Sequence, residues 1–305
     1  MSMRIIKLSF TAPVHFGTTR LSDANPTLDA GALFSAMYIE ALKMGCAEEL
    51  LAAVRSDELC ISDGFPYAGS ILYLPKPMLR SKRAESESVD SRARKAAKKL
   101  DFIAMEHLRS YFEGTMDPIG EYEAFDIGSA TVRTKVNLTH ERKPDAEPYH
   151  IGSFTYNQGA GMYFIVDGGY SLEPILEQLQ YSGVGGERSS GYGRFTFTTE
   201  NFAEFNAGAG FDASLYVLLS TSTPRDSELS DRLLNSARYK LIRRGGFVES
   251  TTHHAVPQKK RDLYLFAAGS TFSSTFNGDI FDVNATSGGH PVYRYAKAML
   301  MEMRA

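Results

Sequence analysis

Between Gly183 and Gly193 five glycines fall within eleven residues, with Glu187, Arg188, Ser189 and Ser190 in the gaps and Arg194 just after. Glycine admits positive φ and lets a ligand approach the backbone closely. Successive amides in such a loop can form an anion-binding concavity, and guanidinium groups match phosphate oxygens. Gly183, Gly185, Gly186, Arg188, Ser189, Ser190, Gly191, Gly193 and Arg194 are therefore candidate contacts to a phosphate backbone. A tight surface turn also gathers glycines; two arginines exceed what a turn needs. A Walker A loop is excluded, because Gly191 is followed by Tyr192. The dinucleotide pattern fails on spacing, since Arg188 follows Gly183 and Gly185 where a third glycine belongs. A hydrolase elbow fails too, with Glu187 where its first glycine would stand.

Other chemistry is sparse. His15, in the run His15-Phe16-Gly17, is the best candidate for a general acid or base, but no partner base is identifiable. His140 and His150 fall in a hairpin, and the neighbours His253 and His254 would point to opposite faces of a strand. There is no His-Glu-x-x-His pattern. Cys46 and Cys60 match neither a disulfide framework nor a zinc site, so no metal and no cofactor is expected.

The elements that must hold the loop are legible. A helix over 171–181 runs into it and a strand over 192–199 runs out. In that strand Phe195 and Phe197 share one face, and Tyr192, Arg194 and Thr196 the other. A first strand spans 4–11, with Ile6, Leu8 and Phe10 on one side. A helix follows over about 28–44, with Phe34, Met37, Tyr38, Ala41 and Leu42 as its buried stripe and Gly45 as its stop. Extended segments are expected near 58–62 and 70–75. The charged run 80–99 holds eight Lys/Arg against three Asp/Glu. It leads into a helical stripe from Leu100 to Phe112, giving a helical insert at about 80–115. Two strands, 131–138 and 149–157, make a hairpin with Arg133, Lys135 and Asn137 on one face. That face suits a finger on an extended ligand as well as it suits solvated charge.

Beyond a linker at 206–211 a second unit begins: a strand at 215–219, a helix at 226–235, strands at 238–250, 261–268 and 280–283, and an apolar close from 293. Between Arg238 and Arg261 seven Lys/Arg face the single Glu249, with Lys259-Lys260-Arg261 the densest part. Tyr239, Phe247, Tyr264 and Phe266 interleave with these charges, as base stacking beside neutralised phosphates would require. Taken singly, each ring is better assigned to the core.

With 305 residues, 43% hydrophobic content and a net charge of −3, the chain suits a globular protein of two domains. The mild acidity means that nucleic-acid binding must come from local patches. The start lacks a signal-peptide core and no apolar run reaches a membrane span, so a cytoplasmic protein without membrane contact is expected.

The first half reads as βαββαβ with a hairpin and helical insert, the order of a ferredoxin-like, RRM-like unit. The expected class is α+β, with two ferredoxin-like domains, 1–205 and 211–305, a protruding β-hairpin at about 131–157 and the glycine-rich loop at 183–193. Tyr181–Phe195 resembles the C-terminal glycine-rich loop of the RAMP (repeat-associated mysterious protein) superfamily. His15-Phe16-Gly17, Leu33-Phe34-Ser35-Ala36, Ala41–Gly45 and Leu74-Pro75-Lys76-Pro77 narrow the match. So do Lys260–Tyr264 and Gly269-Ser270-Thr271-Phe272. Together they resemble the fourth-subunit family of the Csm effector, the type III-A CRISPR interference complex.

The resemblance implies a non-catalytic, crRNA-binding subunit. It would hold the 5′ handle of the crRNA and dock on the large polymerase-like subunit and on the adjacent backbone RAMP subunit, meeting target RNA only indirectly. Carried over by position, the handle meets the Gly183–Gly193 loop and His15, Phe16 and Gly17. The hairpin with Arg133 and Lys135 is then the thumb that presses into the guide near the handle's end, while Lys259, Lys260 and Arg261 are RNA-binding candidates on the strength of the basic patch. The alternative is a metal-independent endoribonuclease of the same superfamily, processing precursor crRNA with His15 as general acid/base.

Overall fold

The computed structural model describes residues 3–17, 20–79, 91–136, 148–202, 215–248, 258–285 and 290–303. Residues 80–90 of the charged run, Asn137, Leu138, His140, the 206–211 linker, His253 and His254 lie outside them. In chain order the first half runs β1 (Arg4–Phe10), α1 (Ala30–Met44), α2 (Ala47–Arg55), β2 (Cys60–Ile61), β3 (Phe65–Ala68) and β4 (Ile71–Pro75). Next come α3 (Ser91–Lys99), β5 (Phe102–Ala104), α4 (Leu108–Glu113) and α5 (Pro118–Ala124). It closes with β6 (Gly128–Val136), β7 (Pro148–Tyr156), β8 (Ala160–Asp167), α6 (Glu173–Ser182) and β9 (Phe195–Asn201).

Six of these strands lie in the order β5-β4-β3-β8-β1-β9, every neighbour antiparallel, and β2 pairs with β8. β8 is buried along all but its last residue, as a central strand covered on both faces must be. On one face Ile6, Leu8, Met162, Phe164 and Val166 pack against Leu33, Phe34 and Met37 of α1 and Ile175, Leu176 and Leu179 of α6. Each such side chain contributes about 1.5–3 kcal/mol by leaving water. The other face, with Ile5, Tyr163 and Ile165, is covered by Val217, Leu219, Met299 and Met303 of the second half.

That half contains β10 (Leu215–Leu218), α7 (Asp231–Leu234), β11 (Leu241–Arg244), β12 (Leu263–Phe266), β13 (Thr271–Phe272), β14 (Gly278–Asp282), β15 (Tyr293–Lys297) and β16 (Leu300–Met303). These strands pair as β13-β10-β16, β11-β12 and β14-β15. Buried polar groups join the halves. Asp63 accepts hydrogen bonds from the amides of Ala30 (2.8 Å) and Thr221 (2.7 Å) and from the Thr221 hydroxyl (2.7 Å). Asp29 caps α1 through the Ala32 amide at 2.8 Å and pairs with Arg244 Nε at 2.7 Å.

Three expectations are corrected. The stretch 100–112 is not one helix: Ile103 pairs with Leu74 along the otherwise open edge of β4, so 102–104 is drawn into the sheet and α-helix begins only at Leu108, after a 3-10 turn over Met105–His107. The helix expected at 226–235 shrinks to Asp231–Leu234, and Leu229 is exposed. There the Glu228 carboxylate accepts from the amides of Arg225, Asn277 and Gly278, which tie the segment into turns. In α1 the buried stripe is Ala30, Leu33, Phe34, Met37 and Ala41. Leu42 lies one helical step outside it and is 57% exposed.

Candidate nucleic-acid interface

The glycine-rich loop is built mainly by packing. α6 stops at Gly183 (φ 78°), whose N–H donates a hydrogen bond to the Leu179 carbonyl at 2.7 Å. Gly193 has φ 73°, and a Cβ there would stand 2.0 Å from the Val184 carbonyl oxygen. Its amide donates to the Pro13 carbonyl at 2.9 Å, while its own carbonyl accepts from the Val184 amide at 3.0 Å. A Cβ on Gly185 would stand 2.6 Å from the Phe16 ring. The amide of Gly186 donates to the His15 carbonyl at 2.9 Å.

Glu187 (φ 59°) and Gly191 (φ 84°) bracket a single 3-10 turn, Arg188–Ser190. The amides of Ser190, Gly191 and Tyr192 bond within that turn. The expectation of a cradle of open amides is therefore corrected. Most of these N–H groups donate to protein carbonyls, and the glycines are there because neighbouring backbone comes too close for a side chain.

The loop borders a cleft of about 260 Å³ between the halves. One wall is the small-residue face of α1: Gly31, Ala32, Ser35 and Ala36. Gly185 and Arg188 come from the loop, and Lys260, Tyr293 and Arg294 from the second half. Among the described lining residues three are cationic and none is acidic. Burial pushes the Arg294 guanidinium down from its usual range, with Asp29 opposing and Arg244 adding to the fall. Arg294 also donates to the Gly245 carbonyl at 2.9 Å, which anchors it at the edge of the cleft.

The hairpin β6–β7 reaches the same loop in register from Gly128↔Tyr156 to Val136↔Pro148. Lys135 Nζ makes an ion pair with Glu187 and donates to the Ser190 hydroxyl at 3.2 Å. It also lies 5.5 Å from the centre of the Tyr192 ring. That hydrogen bond pushes the Lys135 ammonium up and holds the Glu187 carboxyl down. Arg133 Nη1 approaches the Tyr192 hydroxyl at 3.4 Å. Both cations, expected on a thumb facing RNA, thus lean on the loop, and Lys135 neutralises its one acid.

His15 lies beneath the loop and is buried. Its Nδ1 donates to the Gly152 carbonyl at 2.6 Å, so a neutral ring carries its proton there. Phe16 is buried, and Gly17 follows it at the surface. Arg194, Ser189 and Ser190 are exposed, and none of them lines the cleft.

The second basic patch divides. Lys260 faces the cleft, Lys259 stands exposed across from Phe247, and Arg261 donates to the Asp282 carbonyl. Of its aromatics only Phe266 is core, which corrects the reading of the other three. Tyr293, Arg294 and the α1 face were missed. The run of small residues at 31, 32, 35 and 36 was a usable signal for a wall that something else must approach. Among the described residues no three His, Cys, Asp or Glu gather to hold a metal ion, and no helix is long and apolar enough to cross a membrane.

Residues 212–303 match the family model described as CRISPR Csm4 C-terminal domain. Over 307 residues the chain is 38% identical to the "CRISPR system Cms protein Csm4" of Mycobacterium tuberculosis, covering 99% of this chain and 98% of the relative. Two solved structures share the fold across the whole chain. One is a Csm3–Csm4 subcomplex in the type III-A CRISPR-Cas interference complex (TM-score 0.65, 17% identity, 100% of both chains). The other is a Csm1–Csm4 cassette in complex with pppApA (TM-score 0.63, 17% identity, 100% of this chain and 98% of that one).

Proposed function

The chain belongs to the Csm4 family, and from that premise we propose that it is a non-catalytic subunit of the type III-A Csm effector complex that holds the 5′ handle of the crRNA. The observation that carries the reading is the cleft, where Arg188, Lys260 and Arg294 face a wall of small residues and no described lining residue is acidic. Three cations in a groove only partly enclosed suit the backbone of a single strand. Small side chains along α1 leave room for sugars and bases to come close to the helix. The handle phosphates meet Arg188 and Lys260, and unstacked bases enter the cleft beside Tyr293.

Two ferredoxin-like domains, 1–205 and 211–305, are our reading of the architecture. In the first half its support is the order β3-β8-β1-β9 with α1 and α6 on one face. The partners are those with which the two structural relatives are assembled, the Csm1 large subunit and the Csm3 backbone subunit, in the cytoplasm. Recognition without turnover agrees with His15, whose imidazole is buried under Gly186 and held by Gly152. Equal processing of precursor crRNA by wild type and His15→Ala is expected; loss of processing in the variant would restore the nuclease alternative.

The main test is a salt titration of handle-RNA binding by wild type and by Arg188→Ala/Lys260→Ala. Removing two phosphate contacts should weaken binding and lower the log–log salt slope by about 1.4, at roughly 0.7 per contact on a single strand. A double variant with the wild-type affinity and slope overturns the assignment.

A further inference from the structure

In the second half, Tyr239 (43% exposed), Leu241 (53%), Phe247 (65%) and Tyr264 (60%) keep large apolar side chains in solvent on or beside the β11–β12 ribbon. Two of these rings stand directly across the ribbon from a cation. Tyr264 is opposite Arg243 in the β11–β12 register, and Phe247 is opposite Lys259 in an isolated antiparallel bridge. The Phe247 end is held by backbone bonds on both sides, Val248 N–H to the Gln258 carbonyl and Lys260 N–H to the Gly246 carbonyl, each 2.8 Å. Lys259 and Lys260 are adjacent in extended backbone and so project to opposite sides. Lys260 enters the cleft and Lys259 stands outside it beside Phe247.

An exposed ring with an ammonium or guanidinium across from it offers a base a stacking surface and its phosphate a counter-charge. The cations across from two of the rings and the continuity with the cleft through Lys260 favour a polyanion as the occupant. We propose that the ribbon is a second nucleotide station, continuous with the cleft: RNA leaving past Lys260 stacks a base on Phe247 while Lys259 meets its phosphate. Tyr264 and Arg243 repeat the arrangement further along. Theirs is the weaker pair, because Asp262 lies 3.7 Å from Arg243 and competes for its charge. The inference rests on the cleft reading and extends the path of the same strand.

The chain contains no tryptophan, so Phe247→Trp installs a single emission reporter at the station. Two single-stranded RNAs are compared on the purified full chain: one just long enough to fill the cleft, and one several nucleotides longer. The longer RNA should quench the tryptophan and the shorter should not. Phe247→Leu, which keeps an apolar side chain but removes the ring, should weaken the longer RNA about tenfold and leave the shorter unchanged. Absence of quenching together with wild-type affinity in Phe247→Leu overturns the station while leaving the cleft standing. Failure of wild type to retain even the shorter RNA overturns the cleft instead. If Phe247→Leu or Lys259→Ala lowers co-purification of a protein subunit and leaves RNA affinity intact, the ribbon is a protein-docking face and the proposal is wrong.

Discussion

Two glycines of one loop should respond differently to the same methyl group. At Gly191 the φ is 84° and a Cβ would meet nothing within 4 Å. Gly191→Ala therefore carries only the left-handed penalty, about 1–2 kcal/mol. At Gly193 the φ is 73° and the Cβ would stand 2.0 Å from the Val184 carbonyl oxygen. That oxygen is backbone, so the two chain segments must separate. Their separation strains the Val184–Gly193 bond at 3.0 Å and the Gly193–Pro13 bond at 2.9 Å. Adding about 1 kcal/mol for each weakened bond to the conformational penalty puts Gly193→Ala at about 3–4 kcal/mol. For a chain of this size each kcal/mol moves the melting temperature by roughly 2 °C. Thermal melts should then place Gly191→Ala within about 2–4 °C of wild type and Gly193→Ala about 6–8 °C below it. In fluorescence anisotropy Gly191→Ala should keep handle-RNA affinity within a few-fold, because the proposed contact is made by side chains rather than by loop amides. A Gly193→Ala protein melting with wild type would refute the packing account. A large loss of RNA by a well-folded Gly191→Ala would return the loop tip to the binding surface.

Asp63 is buried and its carboxyl is pushed up to about 7 from 3.8, chiefly by desolvation and then by Asp29. The folded state thus keeps its proton longer than the unfolded state. The stability that this proton confers is complete below the unfolded value and is lost as pH rises through about 7. Relative to Asp63→Asn, wild type should lose roughly 2–3 kcal/mol between pH 5 and 8 in urea titrations; a difference that stays flat with pH would disprove the shift. Glu187→Gln removes the loop's only acid and leaves Lys135 without an ionic partner. Handle RNA should bind several-fold tighter at low salt, with the gain disappearing near 1 M salt, and weaker binding by the variant would show that Glu187 assists RNA.

Local pattern carried much of this molecule. The alternation of Ile6, Leu8 and Phe10, the stop at Gly45 and the two strands bearing Arg133 and Lys135 all reflect short-range rules, and all appear in the fold. What failed depended on distant neighbours. Ile103 has helical company in sequence and becomes a strand because Leu74 offers it an edge. Glycines that read as open amides serve mostly to let Pro13, His15, Phe16 and Val184 come close. Lys259 and Lys260 look equivalent until the register sends one to the cleft and the other to the ribbon. Tyr239, Phe247 and Tyr264 looked like core because residue type reports the average burial of a ring, not whether a second layer covers it.

The start of α1 is clamped at two points. Asp63 ties its first amide to Thr221, and Asp29 ties its cap to Arg244. The helix that forms one side of the groove and the segment that forms the other are therefore set at a fixed gauge before any guide arrives. A strand fitting that gauge pays little for reshaping the protein, so its arrival should be governed by charge attraction and by the RNA's own unstacking. Nucleic acid too wide for that gauge would have to break these bonds to enter.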